Sequence, residues 1–210
     1  MKLGRAMSVV STLFILASPW VLYLTLSADR VDLAALALVG WVILRTVPTL
    51  IVAPRAQVLA ALRLPAIALG FALAGWVFHR AWILLVLPSA TQAAFGLAFL
   101  RSLAGTPLVE HFARMSRPAL MPAELAHCRA WTWIWGIFLI ILAAVGLAFA
   151  RFASLPVWTL YTGVVSYVLI GALYAVEYLI RKLRFRDYGK NPVDRLLDRV
   201  FPGPTPGSPS

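Results

Sequence analysis

Acidic side chains are scarce in this chain: eight Asp and Glu stand among 210 residues, against 19 Lys and Arg. Charged residues together make up 13%, about half the ~25% of an ordinary soluble domain, which excludes a conventional water-facing surface. The single cysteine, Cys128, excludes an intrachain disulfide framework. There is no P-loop, no dinucleotide-type glycine pattern, no zinc-protease helix and no nucleophile elbow. The chemistries carried by those spacings are set aside, whereas a site assembled from scattered helices is not.

What the chain does have is hydrocarbon. Hydrophobic residues reach 61% and the mean hydropathy is +0.85, more apolar surface than a water-soluble fold can hide. At ~20 residues per crossing of ~30 Å of lipid, the length accommodates one bundle of about six spans and no separate soluble domain. The expected fold is all-α, a polytopic transmembrane helix bundle over residues 1–188, with spans near 8–26, 31–52, 64–78, 81–100, 130–150 and 157–180. Lys2 and Arg5 ahead of the first run resemble a secretory signal. That run exceeds the ~7 to 15 residues of a usual apolar signal core, and Leu26 suits the −3 position poorly, so it is read as an uncleaved span.

The formal charge of +11 sits at the ends of apolar runs rather than along one polar face, which points to membrane orientation and anionic headgroups and away from nucleic acid. With the N-terminus inside, Lys2, Arg5, Arg45, Arg55, Arg63, Arg101, Arg114, Arg117, Arg129 and the seven cations from Arg181 onward all fall on the cytosolic side. Only Arg30, Arg80 and Arg151 fall outside. This bias predicts both termini in the cytosol of a bacterium, in an inner-membrane protein.

Small residues at helical spacing predict close helix contacts, at Ala66, Gly70 and Ala74 in span 3 and at Ala143, Gly146 and Ala150 in span 5. Trp131, Trp133 and Trp135 open span 5 and are expected at the headgroup boundary. In span 6, Gly163, Tyr167, Gly171, Tyr174 and Tyr178 recur three to four residues apart and are expected to share one face, either a packed interface or a substrate groove. Ionisable groups inside a membrane are functional candidates by default, which singles out Glu177, with an expected ion pair to Arg181 four residues on. Pro88, Ser89, Thr91 and Gln92 form the most polar cluster inside any span. The candidate intramembrane polar site is therefore Gln92, Tyr167, Tyr174, Glu177 and Arg181.

The long connection 101–129 is expected on the cytosolic side. Thr106 followed by Pro107 predicts a helix start, and Leu108, Val109, Phe112, Ala113 and Met115 give an apolar side opposite Glu110 and Arg114. Pro118 should end this surface helix, and Pro122 should begin the helix that continues into span 5. Glu124 and His127 have the spacing of half a di-iron site beside Cys128, but the further ligands are missing, so neither a metal nor any other cofactor is expected. Residues 189–202 predict an amphipathic interfacial helix, and 203–210, built of Pro, Gly, Ser and Thr with one Phe-Pro boundary behind them, a disordered tail.

From span 4 onward the chain resembles an uncharacterised bacterial inner-membrane protein family encoded beside fatty-acid-synthase-like enzymes in aryl polyene and xanthomonadin-type pigment clusters. The carrying stretches are Phe99 to Leu103, Pro107 to Arg114, Leu120 to Leu125 and Val157 to Tyr161, leading through Ser166, Tyr167 and Gly171 to Glu177, Tyr178 and Arg181. The chain departs from the family pattern at Leu87, Gln92, His127 and Cys128. The resemblance implies a pathway rather than a reaction: an accessory that anchors or organises acyl-carrier-dependent polyene or fatty-acyl synthesis. Its expected partners are membrane lipids and an acyl carrier protein or polyketide- or fatty-acid-type enzymes, met by Arg101, Arg114 and Arg117, with a homo-oligomer as a further expectation. Two rival readings are a transporter or flippase for a lipid-like polyene, and an acyl- or glycosyl-transfer enzyme using Glu177 or His111 as base.

Overall fold

The computed structural model describes residues 17–52 and 55–185, together with residues 195, 199 and 200. The start of the first expected span and most of the expected tail helix and terminal segment lie outside the described residues. Among the described residues every regular element is helical: α1 (17–27), α2 (Val31–Val52), α3 (Arg55–Phe78), α4 (Ala81–Leu85), α5 (Leu87–Ser102), α6 (Leu108–Ser116), α7 (Pro122–Phe152), α8 (Leu155–Leu160) and, after a π-helical turn at Tyr161–Val165, α9 (Ser166–Phe185).

Among the described residues three stretches are long and apolar enough to cross a bilayer: Ala81–Ser102, Pro122–Phe152 and Leu155–Phe185, with 22, 31 and 31 residues. At 1.5 Å per residue these extend about 33 Å, 46 Å and 46 Å, against ~30 Å of hydrocarbon. Val31–Leu44 and Pro65–Phe78 are shorter apolar helices. The outer faces carry side chains such as Leu36, Val168 and Phe152, exposed by 63%, 63% and 83%, which lipid solvates and water does not. By length and composition this is a helical membrane protein.

Helix boundaries follow local chemistry. Arg55 starts α3 upstream of the apolar run at 64–78, since Ala, Gln, Leu and Arg are good helix formers and apolarity is not required to continue a helix. Val86 interrupts the fourth expected span because Pro88 has no N–H to offer the preceding turn. The turns after α1 and α3 are closed alike. Asp29 and His79 adopt left-handed φ values of 55° and 47°, and the next residue donates back five positions, Arg30 to Thr25 and Arg80 to Gly75. This Schellman geometry satisfies carbonyls that lipid leaves bare.

The chain divides into two compact units, one of residues 1–98 and 136–166, the other of 99–135 and 167–210. In the first, Leu22, Ala34, Leu38, Ala72, Leu84, Leu85, Ala150 and Trp158 form one core cluster. Its helix contacts use small residues. The expected stripe Ala143, Gly146 and Ala150 is buried, and a Cβ on Gly146 would lie 2.5 Å from the Ser89 hydroxyl and 3.3 Å from the Tyr161 ring. In α3 the expected stripe is not the one used: Ala66 and Gly70 are exposed, and Ala68, Ala72 and Gly75 are buried instead. Both triads have helical spacing, so the pattern alone did not separate lipid-facing from helix-facing alanines.

The span 6 stripe is only partly buried. Gly171 has nothing within 4 Å of an added Cβ, and Tyr174 is 62% exposed. The buried face is instead Trp158, Thr159, Tyr161, Thr162 and Ser166. The π-helical turn at Tyr161–Val165 precedes α9, which carries Tyr167, Gly171, Tyr174 and Tyr178 in regular α-helix, and of the stripe Gly163, Tyr167 and Tyr178 are half-buried.

Candidate functional site

The polar residues of the second unit gather around α6 and the first turns of α7. Thr106 does not cap α6. Pro107 takes the N-cap position, and the first free N–H groups are met from elsewhere: Leu108 donates to the Ser102 hydroxyl of α5 at 3.0 Å, and Val109 to the Thr132 hydroxyl of α7 at 3.3 Å. Thr132, fully buried, donates in turn to the Cys128 carbonyl at 2.8 Å. A hydroxyl placed by tertiary packing has displaced the local cap.

At the other end, α6 stops at Ser116, and Arg117 is extended, as a residue before proline prefers. Its guanidinium pairs with the buried carboxylate of Glu124. Glu124 also accepts the Met121 N–H at 2.8 Å, half of a capping box, with Pro122 opening the helix as expected. Arg129 donates to the Leu103 carbonyl at 3.0 Å, closing the end of α5. Arg114 pairs with Glu110 at 2.8 Å and donates to the Pro118 carbonyl at 2.9 Å.

These bonds orient α6. Val109 and Ala113 are buried, while Phe112 and Met115 are exposed by 56% and 75%. The expected apolar side is thus split, half of it packing inward and half presented outward beside Arg114. Arg101, in the last turn of α5, is exposed and, among the described residues, has no ion pair. Of the three arginines expected to meet a partner, Arg101 and Arg114 face outward, and Arg117 is tied to the buried Glu124.

The intramembrane candidates do not form one site in either unit. Gln92 is half-buried in the first unit, where the neighbouring Thr91 hydroxyl returns to its own helix at Leu87, and the other four belong to the second. Glu177 accepts a hydrogen bond from the indole N–H of Trp135. Arg181 does not close the expected ion pair with Glu177. Tyr174 and Tyr178 stack at 6.5 Å, and the Lys182 ammonium lies 5.6 Å from the Tyr178 ring. Comparison with protein-family models, with curated proteins and with solved structures finds no match.

The indoles that open α7 serve two purposes. Trp131 and Trp135, four residues apart, are buried, and Trp133 on the other side is 52% exposed. Trp135 meets Phe99 and Glu177, and Trp131 lies beside His127, whose ring is edge-on to Phe185 at 5.4 Å. Only Trp133 keeps the exposure expected of a headgroup-boundary indole. His127 and Cys128 are buried, and among the described residues no three His, Cys, Asp or Glu side chains are grouped to hold a metal ion. Sequence reasoning missed Thr132 and Ser102, and read Trp135 only as a boundary indole; the partners of Thr132 and Trp135 lie 23 and 42 positions away and leave no local spacing to find.

Proposed function

We propose that this chain is a six-span inner-membrane protein with both termini in the cytosol, a non-catalytic accessory that anchors or organises an acyl-carrier-dependent polyene or fatty-acyl pathway. The observation that carries the reading is the clamped connector. Helix α6 is held at one end by a buried hydrogen bond and at the other by an ion pair to the buried Glu124, and its outer side offers Phe112, Met115 and Arg114, with Arg101 exposed in the same unit. Such a surface suits an acidic, amphipathic partner, and acyl carrier proteins are strongly acidic, so long-range attraction favours encounter. The likeness of the second half to the pigment-cluster family supplies the pathway, and the sorting of cations supplies the topology.

Glu110 and Glu124 are paired with arginines and Glu177 holds an indole, which supports a structural use of these carboxylates over acid–base work. The test is crosslinking of a carrier protein to Arg101→Glu and Arg114→Glu chains, alongside reporter fusions after residue 210. A several-fold loss of crosslinking, larger at low salt, together with a cytosolic C-terminus is the expected result. Unchanged crosslinking and pigment yield, or a periplasmic C-terminus, sinks the reading.

A further inference from the structure

One face of α7 ends in a furrow that the connector does not involve. Ala144, Ala148 and Arg151 are spaced four and three residues apart and so lie in line, with Leu147 beside them. Together with Trp82 of α4 and Phe152 they line an open groove of about 410 Å³ within the first unit. The two alanines make the floor shallow, while Trp82 and Phe152, 51% and 83% exposed, stand as walls. The length from residue 144 to 151 is about 10 Å at 1.5 Å per residue, a stretch of chain rather than a compact ring system.

The lining is apolar except at Arg151, whose guanidinium carbon lies 5.5 Å from the Phe152 ring centroid. Among the described residues no carboxylate pairs with it. A cation at the end of a hydrocarbon trench, on the flank of two membrane-spanning stretches, is complementary to an amphiphile whose tail lies along Ala144 and Ala148 and whose anion meets the guanidinium. We propose that this groove binds an anionic glycerophospholipid of the bilayer, one acyl chain along α7 and the phosphate on Arg151. This inference is independent of the accessory role above.

The test uses the full chain in nanodiscs containing, at equal mole fraction, phosphatidylglycerol or phosphatidylcholine with a photoactivatable acyl chain, and maps labelling to Trp82 and residues 144–152. The expected result is about fivefold more labelling by phosphatidylglycerol, the ratio that ~1 kcal/mol per surface cation gives. Arg151→Gln should bring the two lipids to parity, Arg151→Lys should keep the preference, and Ala148→Phe, by filling the furrow, should lower both. Equal labelling of the unaltered chain, or a preference that survives Arg151→Gln, overturns the proposal. Should Ala148→Phe fail to fold, the Arg151 pair decides alone.

Discussion

The two units are held together by different means. In the first, most hydroxyls turn inward on their own helices, Thr159, Thr162 and Ser166 each donating to the carbonyl four residues back, while the Tyr161 hydroxyl donates across to the Leu142 carbonyl of α7 at 2.8 Å. Its ion pair, Arg30 with Asp32, is exposed around the turn between α1 and α2. Helices there meet through alanine and glycine, and shape does the specifying. In the second unit, side-chain bonds between elements fix the connector, Val109 to Thr132, Arg117 to Glu124 and Arg129 to Leu103, and Trp135 ties α7 to Glu177 of α9. Lipid offers no hydrophobic drive between helices, so close approach has to supply it. A polar connector has no such packing surface to spare and relies on directional bonds.

Breaking the second unit's polar clamp should therefore have the largest effect. Arg117→Ala leaves the Glu124 carboxylate, 3% exposed, without its cation, and should cost about 3 kcal/mol, the range for a buried charge that loses its partner. Arg114→Ala removes a pair whose arginine is exposed to a similar degree, 43% against 40%, but whose carboxylate, Glu110, is 13% exposed, and should cost under ~1 kcal/mol. Unfolding in mixed detergent micelles compares them. Equal losses would mean that the Arg117 pair is no more than a surface contact.

In the first unit the corresponding test is volume rather than charge. Gly146→Val puts a Cβ 2.5 Å from the Ser89 hydroxyl and 3.3 Å from the Tyr161 ring, both of which must shift, and should destabilise by about 2 kcal/mol. Gly171→Val, with nothing within 4 Å, is the control and should be near neutral, since lipid accommodates the new side chain. A tolerant Gly146 would argue that small residues there are incidental and that the contrast between the units is false.

Legibility in the sequence followed the same division. Apolar runs made legible the helical class and the three stretches long enough to span a bilayer, and Pro118 and Pro122 marked the end of α6 and the start of α7, because those signals are local. Packing faces were half legible: Ala143, Gly146 and Ala150 were found, while in α3 two interleaved alanine triads read alike and the wrong one was preferred. In span 6 the spacing of glycine and tyrosine was legible but its burial was not: Tyr167 is half-buried, while Gly171 and Tyr174 are exposed. At the candidate site, residue types and Arg114 with Glu110 were visible at helical spacing, but Trp135 as the partner of Glu177 lies 42 positions away. Only the fold brings those two together.

The finest comparison sets a local cap against a remote one. Thr106 has the sequence of a helix start yet makes no cap bond, whereas Thr132 accepts from Val109 and is fully buried. Thr132→Val keeps the shape and removes the acceptor, so the Val109 N–H loses its partner at a cost of ~1 kcal/mol. Amide hydrogen exchange across 108–116 should rise several-fold in that variant. Thr106→Val should leave the same amides as protected as before. Were the two substitutions to loosen α6 equally, the start of the helix would be set by its own sequence after all, and the dependence of the second unit on long-range hydroxyls would fall with it.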